Sequence, residues 1–279
     1  MSLSFQVLGS SSSGNATLLI CHTPAGERRL LIDAGLGPRT VARRLASVGL
    51  DADAIDGIVL THADSDHMRP TWRRTLERRS LPVHVPLAHH REVVREAVPS
   101  TLARSFSGPF EPVAGVRLNP FLVPHDTHGS CAFRIECGHS SLGWATDLGR
   151  VPPGLLEHLE GVDALAIESN YDPLMQQNSE RPAFLIRRIT GGRGHLSNEQ
   201  CLTAVQELAS RQSLLNPLAH IVLLHLSRDC NCPALVTDLW EERAPELVEQ
   251  LVISRHDEPG PMLRIGAGVP HRGQGALFS

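Results

Sequence analysis

The sequence contains no lysine, so all 26 of its formally basic side chains are arginine. Genome base composition could account for this bias, although the planar guanidinium group also suits bidentate contacts to phosphate. The formal net charge is −4 with histidine neutral, which argues against a surface coated in positive charge for nucleic-acid binding. A local basic face is still compatible with this balance.

Long apolar runs are also absent, since no segment approaches the ~18 apolar residues that a membrane span requires. The composition is that of a soluble globular protein, with 41% hydrophobic and 20% charged residues. The stretch MSLSFQVLGSSSSGN lacks the basic region and apolar core of a secretory signal. The six cysteines lack the density of a disulfide scaffold, so we expect reduced thiols, a cytoplasmic location and no membrane partner.

Apolar segments predict strands in two batches, each accompanied by helices. Runs such as SFQVLG, RRLLID and DGIVLTH form the first batch, and CAFRIEC, ALAIES and HIVLLHLS belong to the second. NEQCLTAVQELASR is predicted to be a helix opened by Ser197 with Glu199 nearby. The pattern predicts a layered α/β or α+β fold with chemistry at strand ends. Because no linker divides the chain, we expect one domain over residues 1–279, with a mobile tail from about residue 266.

One polar cluster directly follows a buried-type strand. The segment IVLTHADSDH holds His62, Asp64, Asp66 and His67 within six residues. Imidazoles and carboxylates bind divalent metals, and an open hydrolytic site combines such a set with remote partners. A lone His-Asp pair would indicate a solvated turn, but four potential ligands after a buried strand favour a metal site.

Further histidine and aspartate residues end other apolar segments. They are His125 in FLVPHD, Asp147 in LGWATD, His195 in RGHLSN and His225 in IVLLH. One such histidine could be a hydrogen-bonded residue at a sheet edge, but the whole series indicates one shared site. His128 is an alternative ligand to His125, because the sequence does not define the turn between them.

Two other features are weaker signals of function. Cys230 and Cys232 are expected to be ordinary cysteines, because two thiols without a second pair rarely form a metal site. An arginine-rich segment follows the cluster, and its basic residues are expected on one helix, with Arg69 and Arg73 sharing a face; they are Arg69, Arg73, Arg74, Arg78 and Arg79. Such a face could attract a phosphate backbone or be a solvated surface with Glu77 among its charges.

The order of these segments resembles the metallo-β-lactamase superfamily, and more narrowly its YycJ/WalJ-like branch. LGSSSSGN, IDAG, THADSDH, PHD, TDLG, IESNYD, GHLSN and HLSRD occur in the order of that branch, from about Phe5 to about Asp229. GHLSN and HLSRD are the specific segments. The resemblance implies a four-layer αββα sandwich that binds metals through an H-x-H-x-D-H loop and later His, Asp and His ligands.

The resemblance also implies a ligand set. A first metal would be bound by His62, Asp64 and His125, a second by Asp66, His67 and His225, and Asp147 would bridge the two. Asp64 occupies the position of the second histidine of the usual loop, where its charge favours oxygen-preferring metals such as manganese. We therefore expect two divalent metal ions, zinc first and manganese or iron as alternatives, with the first site altered rather than lost.

The implied mechanism is hydrolysis by a hydroxide that bridges the two metals. Asp66 would orient this hydroxide. His195 is similar to the histidine that, in phosphodiesterase members, lies beside the substrate phosphate and protonates the leaving oxygen. Glu168 and Asn170 could support His195, or could have a structural role in the turn that holds them.

Three functions are compatible with the sequence. The favoured one is a metal-dependent phosphodiesterase, in particular a nuclease acting on DNA or RNA. A hydrolase of a small ester, thioester or lactam is the second, because a fold does not fix a function. The third is a non-catalytic metal-binding or nucleic-acid-binding protein whose first metal site is compromised by Asp64. The oligomeric state is not defined by the sequence.

Overall fold

Strands and helices alternate along the computed structural model, which describes residues 1–213 and 216–266. A mobile tail is predicted from about residue 266, and the residues after 266 lie outside the described part of the chain. The backbone forms two compact units. The first comprises residues 1–120, 135–138 and 254–263; the second comprises residues 121–134, 139–253 and the segment from residue 264 onward.

Fourteen strands are found among the described residues. They are β1 (Ser2–Gly9), β2 (Ala16–Thr23), β3 (Gly26–Ile32), β4 (Gly57–Val59), β5 (Val83–Pro86), β6 (Ala103–Phe106), β7 (Phe110–Val113), β8 (Val116–Val123), β9 (Ser130–Cys137), β10 (Ser140–Ala145), β11 (Ala164–Glu168), β12 (His220–Leu224), β13 (Leu251–Ile253) and β14 (Leu263–Ile265).

The same ranges contain eight α-helices and four short 3-10 helices. The α-helices are α1 (Pro38–Ser47), α2 (Arg73–Arg79), α3 (His90–Glu96), α4 (Leu155–His158), α5 (Pro173–Gln177), α6 (Ala183–Thr190), α7 (Asn198–Arg211) and α8 (Pro233–Arg243). The 3-10 helices are Ala52–Ala54, Pro70–Trp72, Leu87–His89 and Pro245–Gln250. None of the described helices is long and apolar enough to cross a membrane.

The strands form two mixed sheets of seven strands each. One has the order β14-β1-β2-β3-β4-β5-β6, and the other has the order β13-β12-β11-β10-β9-β8-β7. In the first sheet β1, β2 and β3 pair antiparallel, whereas β3 to β6 run parallel. In the second, β10 to β13 run parallel. Since parallel strands end at a common edge, the residues that follow them can gather there.

Apolar side chains hold each unit around its own core. In the first unit, Leu31 and Ile58 of the sheet pack in one cluster with Val41 and Leu45 of α1. In the second unit, every residue of β11 and of β12 is buried, as expected for parallel strands covered on both faces. Each fully buried leucine or isoleucine contributes about 1.5–3 kcal/mol relative to an exposed position.

One of two local expectations differs from the structure. The segment after the His-Asp cluster does not form one helix: Arg69 is extended, Pro70–Trp72 is a 3-10 turn, and α2 begins only at Arg73. The expectation that Arg69 and Arg73 share a helical face is therefore wrong, because a residue that precedes proline is disfavoured in the helical region. The prediction that Ser197 opens a helix is confirmed: Ser197 caps α7, Glu199 lies in its first turn, and Gln200 completes the capping box.

Candidate metal centre

In the first unit, the His-Asp loop (residues 61–67) lies after β4 and is held by two neighbouring segments. Asn15 N–H donates to the Asp66 carbonyl at 2.8 Å, and Ala34 N–H donates to the His67 carbonyl at 2.7 Å. The approach of Gly35 is so close that a Cβ built there would lie 1.5 Å from the Asp66 carbonyl oxygen. Only glycine fits this position, so the segments SSSSGN and DAG act as a backbone clamp on the loop.

The two imidazoles of this loop are oriented by a buried carboxylate. Asp33 Oδ2 lies 2.8 Å from His67 Nδ1, and Asp33 Oδ1 accepts from the Thr61 backbone N–H at 2.9 Å. The Thr61 hydroxyl donates to Asp33, and His62 Nδ1 lies 2.9 Å from the Thr61 oxygen. Because each Nδ1–H has an acceptor, the lone pair of each ring is on Nε2, which is the tautomer that a metal requires.

The loop carboxylates lie on the Nε2 side of these rings. Asp64 Oδ2 is 3.7 Å from His62 Nε2, and Asp66 Oδ2 is 3.5 Å from His67 Nε2. The two ring centroids are 4.1 Å apart. Asp64 is the most exposed of the four, with 46% of its side chain accessible, against 22% for Asp66. Asp64 therefore presents an exposed carboxylate where the usual loop of the resembled family has an imidazole.

In the second unit, Asp147 lies among three histidines. Its Oδ1 atom is 3.8 Å from His125 Nε2, 3.6 Å from His195 Nδ1 and 3.5 Å from His225 Nδ1. Thr146 Oγ1 donates to the other oxygen at 2.9 Å. Asp147 is 2% exposed, so its charge requires cationic partners nearby.

The Glu168 carboxylate is hydrogen-bonded to two of these histidines. Its Oε1 atom lies 2.7 Å from His195 Nδ1 and 3.0 Å from His225 Nδ1, while Oε2 accepts from the backbone N–H groups of Leu148 and Leu196 at 2.8 and 3.1 Å. Burial alone would raise the pKa of this carboxyl, but the charge of His195 and the hydrogen bonds from both histidines hold the pKa below its ordinary value. Glu168 is thus an ionised acceptor for two Nδ1–H groups.

His125 follows the same pattern with a backbone partner. Its Nδ1 donates to the Gly194 carbonyl at 2.9 Å, which directs Nε2 toward Asp147. His125 is 5% exposed, whereas the alternative His128 is an exposed residue of the following turn. Of the two candidate ligands, His125 is therefore the buried one and His128 the exposed one. Asn170, for which support of His195 and a structural role in the turn were both open, contacts His225: its amide nitrogen donates to the His225 carbonyl at 2.7 Å.

The donor set fits divalent metal ions. Asp147, Glu168, His195 and His225 offer ligand atoms that all lie within 4.8 Å of one another, although Glu168 already accepts four hydrogen bonds and is better placed to orient histidines than to bind an ion. Within the described residues, the groups able to hold a metal contain no cysteine. Both units thus display buried imidazoles with oriented Nε2 atoms and nearby carboxylates.

Comparison with known proteins assigns the family. A model of the beta-lactamase superfamily domain matches residues 28–220. The chain belongs to the metallo-β-lactamase superfamily. It is 28% identical over 269 residues to the exodeoxyribonuclease YycJ of Bacillus anthracis, covering 94% of this chain and 98% of that protein. It is 27% identical over 237 residues to the exodeoxyribonuclease WalJ of Streptococcus pneumoniae serotype 2, covering 83% of this chain and 84% of that protein.

A solved structure supports the fold of this superfamily member. The metallo-β-lactamase fold protein YhfI of Bacillus subtilis superposes with a TM-score of 0.67 at 14% identity, covering 95% of this chain and all of that one. The predicted resemblance and fold class are therefore confirmed. At this identity the likeness concerns the fold alone.

The sequence did not reveal the residues that orient the ligands. Asp33 and Thr61 of the first unit were not assigned a role, although Asp33 ends a buried strand in the same way as Asp147. Asn15 was also missed; its side-chain nitrogen lies 3.1 Å from His67 Nε2. One sequence signal could have identified Asp33: in IDAG, as in WATD, an apolar strand is followed by an aspartate.

Proposed function

We propose that this superfamily member is a metal-dependent phosphodiesterase that cleaves nucleic acid, with DNA as the first candidate substrate. Two relatives that span most of the chain are named exodeoxyribonucleases, and this supports the choice of substrate class. Clusters of histidine and aspartate in both units support a metal-dependent reaction. We therefore propose nuclease activity rather than hydrolysis of a lactam or an ester.

The proposed ligands are those that the family resemblance implies. His62, Asp64 and His125 would bind one ion, Asp66, His67 and His225 a second, and Asp147 would bind both. When bound, such ions lower the pKa of a coordinated water and place positive charge beside the phosphoryl oxygens. Because Asp64 adds a carboxylate to the first set, that site would favour manganese or iron over zinc more than an all-histidine site does.

The chain's own residues then have distinct tasks. Asp33 and Glu168 retain the Nδ1 protons of His67 and His225 and so keep each Nε2 lone pair available. His195 is a candidate general acid, since Glu168 binds its Nδ1 and leaves Nε2 to hold or release a proton toward the leaving oxygen. His195 retains 19% of its side-chain exposure, which suits a group that must meet substrate. Asp66 would orient the attacking water.

One observation carries the proposal. His67, His125 and His225 each direct Nδ1 at an acceptor 2.8 to 3.0 Å away, although they belong to different strand ends. Histidines that serve only packing have no reason to share one tautomer. Metal-ligating histidines almost always donate the other ring N–H in this way.

The test begins with metal counting, followed by cleavage of labelled DNA and RNA with zinc, manganese or iron supplied. We expect about two ions per chain and metal-dependent cleavage that chelation abolishes. His125→Ala should lose bound metal and activity, whereas His128→Ala, which removes an exposed histidine three residues later, should keep both. His195→Ala should retain metal but slow cleavage by about 10²–10⁴.

Different outcomes separate the alternatives. A protein with full metal occupancy that cleaves no phosphodiester but turns over a small ester, thioester or lactam would replace the nuclease proposal by the second function. A single tightly bound ion and no turnover would favour a non-catalytic role with a compromised first site. Equal effects of His125→Ala and His128→Ala would contradict the proposed ligand set.

A further inference from the structure

A basic groove in the first unit is not used by the metal centre. It encloses about 1020 Å³ and is lined by the start of α1, residues 51–53 and the segment 69–79. Six arginines line it: Arg39, Arg69, Arg73, Arg74, Arg78 and Arg79. Only two acidic residues, Asp51 and Asp53, share the lining. The groove is therefore strongly cationic in a chain whose formal net charge is −4.

Four of these six guanidinium groups form no ion pair within the described residues, and one of the four, Arg69, donates instead to backbone carbonyls. Arg79 pairs with Asp53 at 3.4 Å, and Arg73 pairs with Glu77 at 3.6 Å. Arg39, Arg74 and Arg78 are exposed and form no ion pair in the described part of the chain. Clustered like charges destabilise the folded state unless an anion compensates them. The local excess thus indicates an anionic ligand.

The groove begins where the His-Asp loop ends. Arg69 lies two residues after His67, and its guanidinium donates to the backbone carbonyls of Gly35 and Ser13, the latter at 2.7 Å. The Trp72 indole N–H donates to the Leu36 carbonyl at 2.7 Å, which ties the start of α2 to the segment before α1. The cationic wall is consequently fixed to the same backbone clamp that holds the loop.

The residues that line the groove favour contacts to phosphate over stacking with bases. Trp72 is the one aromatic residue of the groove, and it is 2% exposed with its indole N–H already engaged. The groove therefore offers no open ring on which a base could stack. Guanidinium groups instead suit bidentate contacts to phosphate oxygens, which carry no base sequence.

We propose that this arginine groove binds the phosphodiester backbone of a nucleic-acid strand whose scissile bond is at the metal centre. The inference rests on the proposed nuclease function and adds to it a binding surface that acts independently of base sequence. Arg74 and Arg78, one helical turn apart on α2, are its two uncompensated contacts on that helix. The groove would raise affinity for a polymer without contributing to the reaction itself.

The experiment compares two matched double variants. Arg74→Ala with Arg78→Ala removes two exposed arginines at i and i+4 from the seven-residue helix α2. Arg91→Ala with Arg95→Ala makes the same change on the seven-residue helix α3, whose arginines are exposed and outside the groove lining. A third variant, Arg74→Lys with Arg78→Lys, keeps the charge and removes the bidentate fork.

Binding is measured by fluorescence anisotropy with single-stranded DNA and RNA oligonucleotides, in chelator, over a range of salt concentrations. We expect the α2 alanine variant to bind at least tenfold more weakly and to lose about 1.4 from the slope of log K against log salt, at about 0.7 per phosphate contact. The α3 variant should match the wild type, and the lysine variant should keep the slope. Two unrelated base sequences should give the same losses, and the DNA and RNA arms identify the preferred strand.

Hydrolysis of bis(p-nitrophenyl) phosphate separates this inference from the nuclease proposal. All three variants should hydrolyse this small diester with the kcat and KM of the wild type, because it is too short to reach the groove. An unchanged salt slope in the α2 alanine variant, or an equal loss in the α3 variant, would overturn the groove assignment. If the wild type cleaves no diester while the α2 variant still loses DNA affinity, the groove stands and the nuclease proposal falls.

Discussion

Replacing Glu168 by glutamine tests the orientation of the candidate ligands with a change of only one heavy atom. The carboxylate accepts four hydrogen bonds, two on each oxygen, and a glutamine has one oxygen that can do the same. If its NH2 group faces Leu148 and Leu196, it meets two backbone donors. If it faces His195 and His225, both rings lose the acceptor for Nδ1–H.

Either orientation breaks two hydrogen bonds to a charged acceptor. At about 1.5–3 kcal/mol for each such bond, Glu168→Gln should lower the free energy of unfolding by about 3–6 kcal/mol. In the second orientation, the glutamine NH2 group and His225 Nδ1–H are both donors. His225 can then accept from the amide only if its proton moves to Nε2, which removes the metal-binding lone pair. We therefore expect metal affinity at the site of His225 to fall by about 10- to 100-fold.

Urea denaturation of metal-free protein measures the first effect, and chelator competition measures the second. Glu160→Gln is the matched control, since Glu160 is an exposed residue of the same unit and its change removes one charge without touching the network. A Glu168→Gln protein as stable as the control, with two ions bound at wild-type affinity, would refute the tautomer argument on which the ligand assignment depends.

The pH dependence of the free energy of unfolding also distinguishes Glu168→Gln from the wild type. The folded-state pKa of Glu168 is below its ordinary value of 4.5, so the unfolded chain takes up the proton first as the pH falls. The stabilisation by the ionised carboxylate is therefore present above pH 4.5 and is lost as the pH falls through the folded-state pKa. Glu168→Gln should lack this component in metal-free protein.

Three further substitutions test other parts of the structure. Gly35→Ala would place a Cβ 1.5 Å from the Asp66 carbonyl oxygen, so we expect at least about 2 kcal/mol of destabilisation by thermal denaturation, together with loss of bound metal. Asp64→His restores the usual loop pattern and should shift selectivity from manganese toward zinc in a competition assay; unchanged selectivity would show that Asp64 is not a ligand. Burial and the charge of Arg104 lower the pKa of His84 from 6.5 to about 4, so wild-type stability should fall between those values, by up to about 3 kcal/mol before solvent screening. His84→Phe, which preserves the stack on Phe110, should abolish that fall in urea titrations from pH 7 to pH 4.

The positions of the candidate ligands could be predicted because they follow buried strands. A run such as GIVLTH or IVLLH predicts a parallel strand from its unbroken apolar character, and topology then brings its carboxyl end to a common edge. Asp147 and His225 lie one or two residues beyond β10 and β12. The polar residue after an apolar run therefore predicts which side chains lie at strand ends.

The supporting residues could not be predicted in the same way. Asp33 contacts His67 across 34 positions, and Glu168 contacts His225 across 57; no local period encodes such pairs. The short strands β5, β6 and β7 were also missed, because four residues around proline and arginine give little apolar alternation. Pro70 explains why an apparently continuous arginine helix begins late.

Three strand ends of the candidate site have a backbone conformation that most side chains disfavour. Asp33, Asp147 and His225 all adopt left-handed conformations, with φ of 62°, 52° and 58°. Glycine would adopt this region without strain, whereas an L residue with a side chain costs about 1–2 kcal/mol there. A turn selected for stability would carry glycine or asparagine at such positions. That three separate strand ends carry aspartate or histidine instead, each hydrogen-bonded within its unit, means that the side chains are retained against the preference of the backbone, as strained positions at functional sites are.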